Sequence, residues 1–436
     1  MTPYRTILGA AVPLYLASVA SMAGALVTVS VLGRHATATL AAAALVGAVA
    51  NPAIASVTGV MRGLMPFLAP VRDDADAAVP IMRDARWLAI AVGVTGALAV
   101  ACVPVIARIG GVPGEVVGEL GLYPALTALQ ILVTALAGGA NSTLVALGRS
   151  RMVLWSGLSA TAAAVTLTAA LVPPLGLTGA GIAEVASACV GAAVAGVCLR
   201  RLPLLRGHST RPGRPRPKEI LDMARVGLPL AGTVLVKFAV LGVVAFAAAR
   251  LGADDGAVHA VLNSLIGLVM VASISVAQAS VPVVARAADP REARRAVRAA
   301  LVIALIGASA GAAVPAVAGD ALVGLFTGDA AVAERVLGLM PLMILAAMAD
   351  ACQAVTGFGL TALRRSSASL TYFAILYGLL ALSAFPMAAT AGLTGLWAAR
   401  IAANLLLVAA QGTGFLRHSA RIGAPAVPGR AAPARG

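Results

Sequence analysis

Four ionisable side chains, Glu184, Lys237, Asp350 and Arg400, lie inside long apolar stretches of this 436-residue sequence. An isolated charge in such a setting is costly, so residues of this kind mark proton relays, ion sites or substrate contacts. Lys237 and Asp350 fall near the middles of their stretches, at similar depth. Each alone would be driven toward its neutral form, whereas a pair holds both partners charged. Two roles are open to the pair. In one, Asp350 takes up and releases a coupling proton while Lys237 tunes its proton affinity and breaks away when substrate binds. In the other, the pair is static and fixes two helices together. Lys218 and Lys237 are the only lysines among 32 basic residues, and lysine, unlike arginine, can release its proton. Glu184 and Arg400 have two readings as well: side chains that reach the outer interface or neutralise each other, or side chains that gate or touch substrate.

Uncharged polar residues within the stretches, Asn51, Gln130, Asn141, Asn263, Gln278 and Gln353, are candidates for hydrogen bonds between helices, with cavity lining as a second role. Pro13, Pro66, Pro229 and Pro282 are hinge candidates, Pro66 provided its helix runs that far. Cys102, Cys189, Cys198 and Cys352 have no metal-ligand spacing and read as small packing residues. The four histidines are scattered among connections and helix ends. The sequence has no Walker lysine motif, zinc motif or nucleophile elbow, so it predicts no enzyme, no metal or other cofactor and no ATP-driven chemistry.

The elements that must position these residues follow from composition. Apolar residues make up 60% of the chain, charged residues 11%, and the mean hydropathy is +0.96, so the surrounding solvent has to be lipid. About 20 apolar residues cross a bilayer as a helix. The sequence divides into twelve such runs: 7–31, 38–60, 87–107, 120–145, 152–173, 178–199, 226–249, 257–284, 299–319, 336–361, 367–389 and 393–416. Helices are required because lipid cannot satisfy backbone polar groups, and barrel strands would alternate polar with apolar residues. The net charge of +15 sits almost wholly in the even-numbered connections and the termini. That distribution is a topology signal placing both termini in the cytoplasm of a multi-pass inner-membrane protein, and it argues against nucleic-acid binding.

The two halves repeat. Adding 216 carries Pro13 to Pro229, Pro66 to Pro282, Leu147 to Leu363, Arg149 to Arg365 and Ser150 to Ser366. It also carries Gly176-Leu177-Thr178-Gly179 onto Gly392-Leu393-Thr394-Gly395, and Glu184 onto Arg400. Six spans per copy leave both copies with the same orientation, related by an axis along the membrane normal with a cleft between them. The expected organisation is an all-α fold: an N-terminal six-helix lobe (1–201), an extended solvated linker (202–225), a C-terminal lobe (226–416) and a disordered basic tail (417–436).

With these motifs in order, the chain resembles the multidrug and toxic compound extrusion (MATE) family over residues 8–416. The resemblance rests on Val12-Pro13-Leu14 and Gly227-Leu228-Pro229-Leu230, on Leu32-Gly33 and Arg250-Leu251-Gly252, on Phe326-Thr327-Gly328-Asp329, on Asp350-Ala351-Cys352-Gln353-Ala354-Val355, and on the Gly-x-x-Gly turns. It implies alternating access and export of drugs or natural products in exchange for sodium ions or protons. The departures are specific. The family's acidic position in helix 1 is Thr28 here, its helix 7 glutamate is Lys237, and only Asp350 of the acidic coupling positions remains. A cation beside that carboxylate disfavours sodium and leaves two readings open, proton coupling through the Lys237/Asp350 pair or transport with no standard coupling. With Lys237 at the cavity, anionic or neutral molecules fit as readily as cationic drugs. The expected function is secondary active export of small molecules across the bilayer by proton antiport. The alternatives are a flippase for lipid-linked oligosaccharide or peptidoglycan precursors, signalled by fourteen spans or a groove open to lipid, and a nontransporting sensor or scaffold.

Overall fold

The computed structural model describes residues 2–422 except 113, 210–211, 318 and 320–328. The tail from residue 423 and the Phe326-Thr327-Gly328 motif lie outside the described residues. Among those described, ten helices are long and apolar enough to cross a membrane, and two of the ten are double. The first four are α1 (Pro3–His35), α2 (Thr37–Arg62), α3 (Ala75–Ala101) and α4 (Tyr123–Ala146). The segment Ser150–Arg200 breaks at Gly176 (φ 55°, ψ −134°) into α5 (150–175) and α6 (177–200). Next come α7 (Pro217–Ala249), α8 (Ala253–Ala285), α9 (Pro290–Val317) and α10 (Ala330–Ala362). Ser366–Ser419 breaks at Gly392 (φ 60°, ψ −149°) into α11 (366–391) and α12 (393–419). Twelve membrane-length arms result, in a multi-pass membrane protein.

The duplication is visible in the backbone. Both breaks need the left-handed region that glycine enters without a Cβ penalty, and they lie 216 residues apart. The turns after α4 and α10 match in the same way. Arg149 N–H donates to Leu144 O at 2.8 Å and Arg365 N–H to Leu360 O at 2.9 Å, across Gly148 (φ 75°) and Arg364 (φ 58°). Arg364 is the one non-glycine residue with positive φ among the described residues, a conformation that persists where surrounding contacts hold it. Its guanidinium donates to Pro66 O at 3.2 Å and stacks over Phe67 at 4.1 Å, joining the two lobes.

The lobes also meet where α2 crosses α7 and α1 crosses α8. Glycines set the first crossing: a Cβ on Gly63 would lie 2.6 Å from the Gly227 backbone, and one on Gly59 would already touch Ala231. These contacts lie toward the side of the membrane where α1 begins and α2 ends, the side of Pro3.

Three expectations change in detail. Pro66 does not bend α2, which stops at Arg62, where Gly63 meets Gly227; Pro66 instead enters the short helix Met65–Leu68, where its missing N–H costs nothing. The linker is shorter than expected because α7 begins at Pro217, with Glu219 in its first turn facing the positive end of the helix dipole. What remains of it is clasped rather than free. Arg216 holds the buried Asp84 of α3 through Nη2 at 2.5 Å and Nε at 2.7 Å, and Trp87 Nε1–H donates to Gly213 O at 3.0 Å. At the other end of the chain, α12 runs on to Ser419, where Arg294 of α9 donates to Leu416 O and Ser419 Oγ. Pro13, Pro229 and Pro282 do lie inside membrane helices.

The α2–α7 crossing generates a prediction. In Gly227→Ala the new Cβ would sit 2.6 Å from Val60 O and 2.7 Å from Val60 Cγ1, closer than real Cβ contacts allow. The lobes should part on the Pro3 side. Spin labels on Arg72→Cys and Asp222→Cys should report a longer-distance population several-fold larger than in the parent, and an unchanged distribution would show that this contact does not hold the lobes together.

Candidate functional site

Asp350, two-thirds of the way along α10, is fully buried, and each of its oxygens faces a different cation. Lys237 Nζ of α7 lies 3.2 Å from Oδ1, and Arg400 Nη2 of α12 lies 3.0 Å from Oδ2. Arg400 is itself buried and turns its other terminal nitrogen to Asn263 Oδ1 of α8 at 3.0 Å. One carboxylate therefore ties four helices of the C-terminal lobe. The surroundings are polar and aromatic: Arg400 lies 5.3 Å from the centre of the Trp397 ring, which tilts against His259 at 5.6 Å. Tyr377 donates its hydroxyl hydrogen to Asn404 Oδ1 at 3.1 Å and stacks on Phe373. Arg400 Nε, Trp397 Nε1, His259 Nδ1 and Asn404 Nδ2 are buried without a partner, so this pocket keeps hydrogen-bonding capacity in reserve.

The N-terminal lobe differs at the equivalent place. Glu184 of α6 lines a cavity of about 790 Å³ between α1, α2, α4, α5 and α6. Its Oε1 accepts a hydrogen bond from Tyr123 Oη at 3.1 Å, and no cation pairs with it among the described residues. Thr28, Asn51 and Gln130 line the same cavity, and the Thr28 hydroxyl is engaged with Gly24 O at 3.1 Å. Glu184 and Arg400 therefore do not neutralise each other: the acidic copy faces an open cavity and the basic copy is consumed by Asp350.

Of the other sequence candidates, Gln353 lines a small cavity between the lobes and donates to Gln411 Oε1 at 3.3 Å. Gln411 also accepts from Thr356 and donates to Ser369, so it closes a buried polar network between α10, α11 and α12. Asn141 stands apart from both ionic sites with its Oδ1 buried and unpartnered. His259, Trp397, Tyr377 and Asn404 were not among the sequence candidates. Helical spacing carried their signal: His259 and Asn263 are four apart on α8, and Trp397, Arg400 and Asn404 follow at three and four on α12.

The triad's charge balance predicts unequal effects of mutation. Lys237→Met leaves Asp350 paired with Arg400, a neutral arrangement, whereas Asp350→Asn leaves two cations in an apolar interior. Asp350→Asn should lose about 3–5 kcal/mol, the usual cost of orphaning a buried charge, and Lys237→Met much less. Thermal unfolding in detergent distinguishes them. Equal destabilisation by both variants would mean that Arg400 does not compensate Asp350.

Comparisons with known proteins agree with this architecture. The MatE family model matches residues 229–389. The probable multidrug resistance protein NorM of Aromatoleum aromaticum is 27% identical over 376 residues, 80% of this chain and 78% of that protein. A NorM of Xanthomonas campestris is 34% identical over 122 residues, 27% of each chain. Among solved structures, an outward-facing multidrug resistance MATE family transporter of the MOP superfamily superposes with a TM-score of 0.85 at 19% identity, covering 97% of each chain. A MOP superfamily transporter from Pyrococcus furiosus, described as having a binding pocket of reverse polarity that suggests a different function, gives 0.85 at 18% identity with the same coverage. The twelve arms, the duplicated lobes and these matches together make the chain similar in fold and in sequence to MATE family transporters.

Proposed function

We propose that the chain exports small organic molecules by alternating access and proton antiport, with Glu184 as the residue for which proton and substrate compete. The observation that carries this reading is the contrast between the two interior carboxylates. Asp350 already has a cation on each oxygen, which leaves no oxygen free to exchange partners. Glu184 has only the Tyr123 hydroxyl and faces a cavity within the ~300–1,000 Å³ range of small-molecule pockets. An organic cation entering that cavity would take the carboxylate as its counter-ion. A proton arriving there would remove the charge the substrate needs, so the two ligands exclude each other, which is the condition for exchange. The multidrug names of the relatives support a cargo of this kind.

The lobes provide the access change. Here they meet on the side of Pro3 while the N-terminal cavity occupies the far half, a state comparable to the outward-facing solved structure. With the basic connections placing the Pro3 side in the cytoplasm, Glu184 would meet the more acidic exterior in this state. It would pick up a proton there and release substrate. Parting of α2 from α7 would then expose the cavity inward. Lys237, Asp350 and Arg400 would act as the fixed strut of the C-terminal lobe. Relative to the sequence expectation, this moves proton exchange from Asp350 to Glu184.

A lipid-facing crevice of about 640 Å³ does run between α1, α8 and α9, but leucine, valine, alanine, isoleucine and glycine line it, with Tyr15 the one side chain carrying a hydrogen-bonding group. It suits an apolar body better than a sugar or phosphate headgroup, so the flippase alternative gains no polar path from it.

The test is efflux of ethidium from proteoliposomes under a proton gradient. Glu184→Gln should fold normally and lose gradient-driven efflux by at least about tenfold, with ethidium binding no longer weakening as pH falls. If Glu184→Gln remains coupled while Lys237→Met does not, the exchange belongs to the C-terminal triad instead.

A further inference from the structure

Between the lobes, on the Pro3 side of the Lys237–Asp350 pair, a separate cavity of about 130 Å³ is lined by Arg62 and Lys237 together with Thr233, Gln353, Met270 and Phe373. Arg62 is the last residue of α2, in the N-terminal lobe. Lys237 comes from α7 in the C-terminal lobe, and its side chain is 25% exposed despite the bond to Asp350. Arg62 has neither hydrogen-bond nor ion-pair partner among the described residues. The carbonyl end of α2 lies next to it and offsets part of its charge.

Among the described residues, the charged side chains lining this cavity are Arg62 and Lys237, and the ionic group behind Lys237 adds one carboxylate, Asp350, and Arg400. Three cations minus one anion leave two positive charges with Lys237 protonated, and one with it neutral. Asp350 is already saturated by Lys237 and Arg400, so Arg62 has no share in it. Uncompensated positive charge in a low-dielectric interior calls for an anion. We propose that Arg62 and Lys237 form an anion-binding site completed by both lobes, which takes the carboxylate or sulfonate of a small organic acid. Arg62 offers the planar fork that matches such a group, Lys237 the second charge, and Met270 and Phe373 an apolar wall for the body of the molecule.

The site exists only while α2 and α7 are together, since each contributes one cation. A bound anion binds this conformation in preference to one with the lobes parted on this side, and so shifts the population toward it. It would also hold Lys237 in place across the seam. The site is distinct from the Glu184 cavity and acts as a brake on inward opening. It goes beyond the exchange reading, and it can be tested with no gradient present.

The experiment is equilibrium dialysis of 1-naphthoate and 1-naphthylmethylammonium against the full chain in nanodiscs of phosphatidylcholine, with empty nanodiscs as the blank. The expected result is saturable naphthoate binding, at least about tenfold tighter than the amine of the same shape, weakened about tenfold or more by Arg62→Gln and largely retained in Arg62→Lys. Comparable or tighter binding of the amine overturns the proposal, as does unchanged naphthoate affinity in Arg62→Gln. If Arg62→Gln does not assemble, the anion preference of the unaltered protein and the Arg62→Lys affinity decide the matter. Displacement of naphthoate by added phosphatidylglycerol would assign the site to lipid headgroups and overturn the organic-acid assignment. Because no transport is involved, loss of naphthoate binding leaves the Glu184 exchange reading standing, and failure of ethidium efflux leaves this site standing.

Discussion

A charge inside a bilayer must be matched by another charge or by water, and the interior of this protein is arranged around that constraint. Asp350 contacts Lys237 and Arg400 at once, at 3.2 and 3.0 Å, one negative charge shared between two positive ones. The two cations come from α7 and α12 and the carboxylate from α10, so the neutralisation is also the tie that binds these helices. Replacing such a network by apolar residues of similar shape often costs little, whereas removing one partner is expensive. The triad therefore specifies which helices meet in the C-terminal lobe more than it adds to stability.

Duplication supplied the frame on which this charge pattern diverged. Gly176 and Gly392 bend the two lobes at equivalent points with nearly the same backbone angles. Eight residues further on, the copies carry opposite charges, Glu184 and Arg400. In the C-terminal lobe the arginine fills the place beside Asp350 and makes a packed ionic centre. In the N-terminal lobe the glutamate, held by Tyr123, borders a cavity of about 790 Å³. One lobe thus offers a free carboxylate and the other a spent one. The seam between them adds Arg62, a cation with no carboxylate partner among the described residues, and Gly63 and Gly227, whose missing side chains let α2 and α7 come into contact.

Much of this was legible in the sequence because lipid makes the rules strict. Hydropathy fixed twelve spans, and the offset of 216 located both glycine breaks and the pairing of Leu147 with Leu363. Lys237 and Asp350 could be paired from depth alone. Depth along a helix gives height, however, and not the direction a side chain faces, which is why Arg400 was not assigned to Asp350. His259 was read as a residue at a helix end, yet it packs against Trp397 in the same pocket. Arg62 was counted as one more basic residue of a connection, because its exposure depends on how two lobes dock and no local pattern reports that. The linker read as solvated for a similar reason: its Arg216 finds Asp84, a carboxylate 132 residues away.

The division of labour between the two carboxylates is tested most directly by counting protons. Purified protein in weakly buffered detergent, with a pH-indicating dye, can be titrated with tetraphenylphosphonium, a cation with no proton of its own. If proton and substrate compete for Glu184, binding should release up to about one proton per cation bound, and the release should vanish in Glu184→Gln while persisting in Lys237→Met. Binding without proton release, or release that survives Glu184→Gln, would contradict the account.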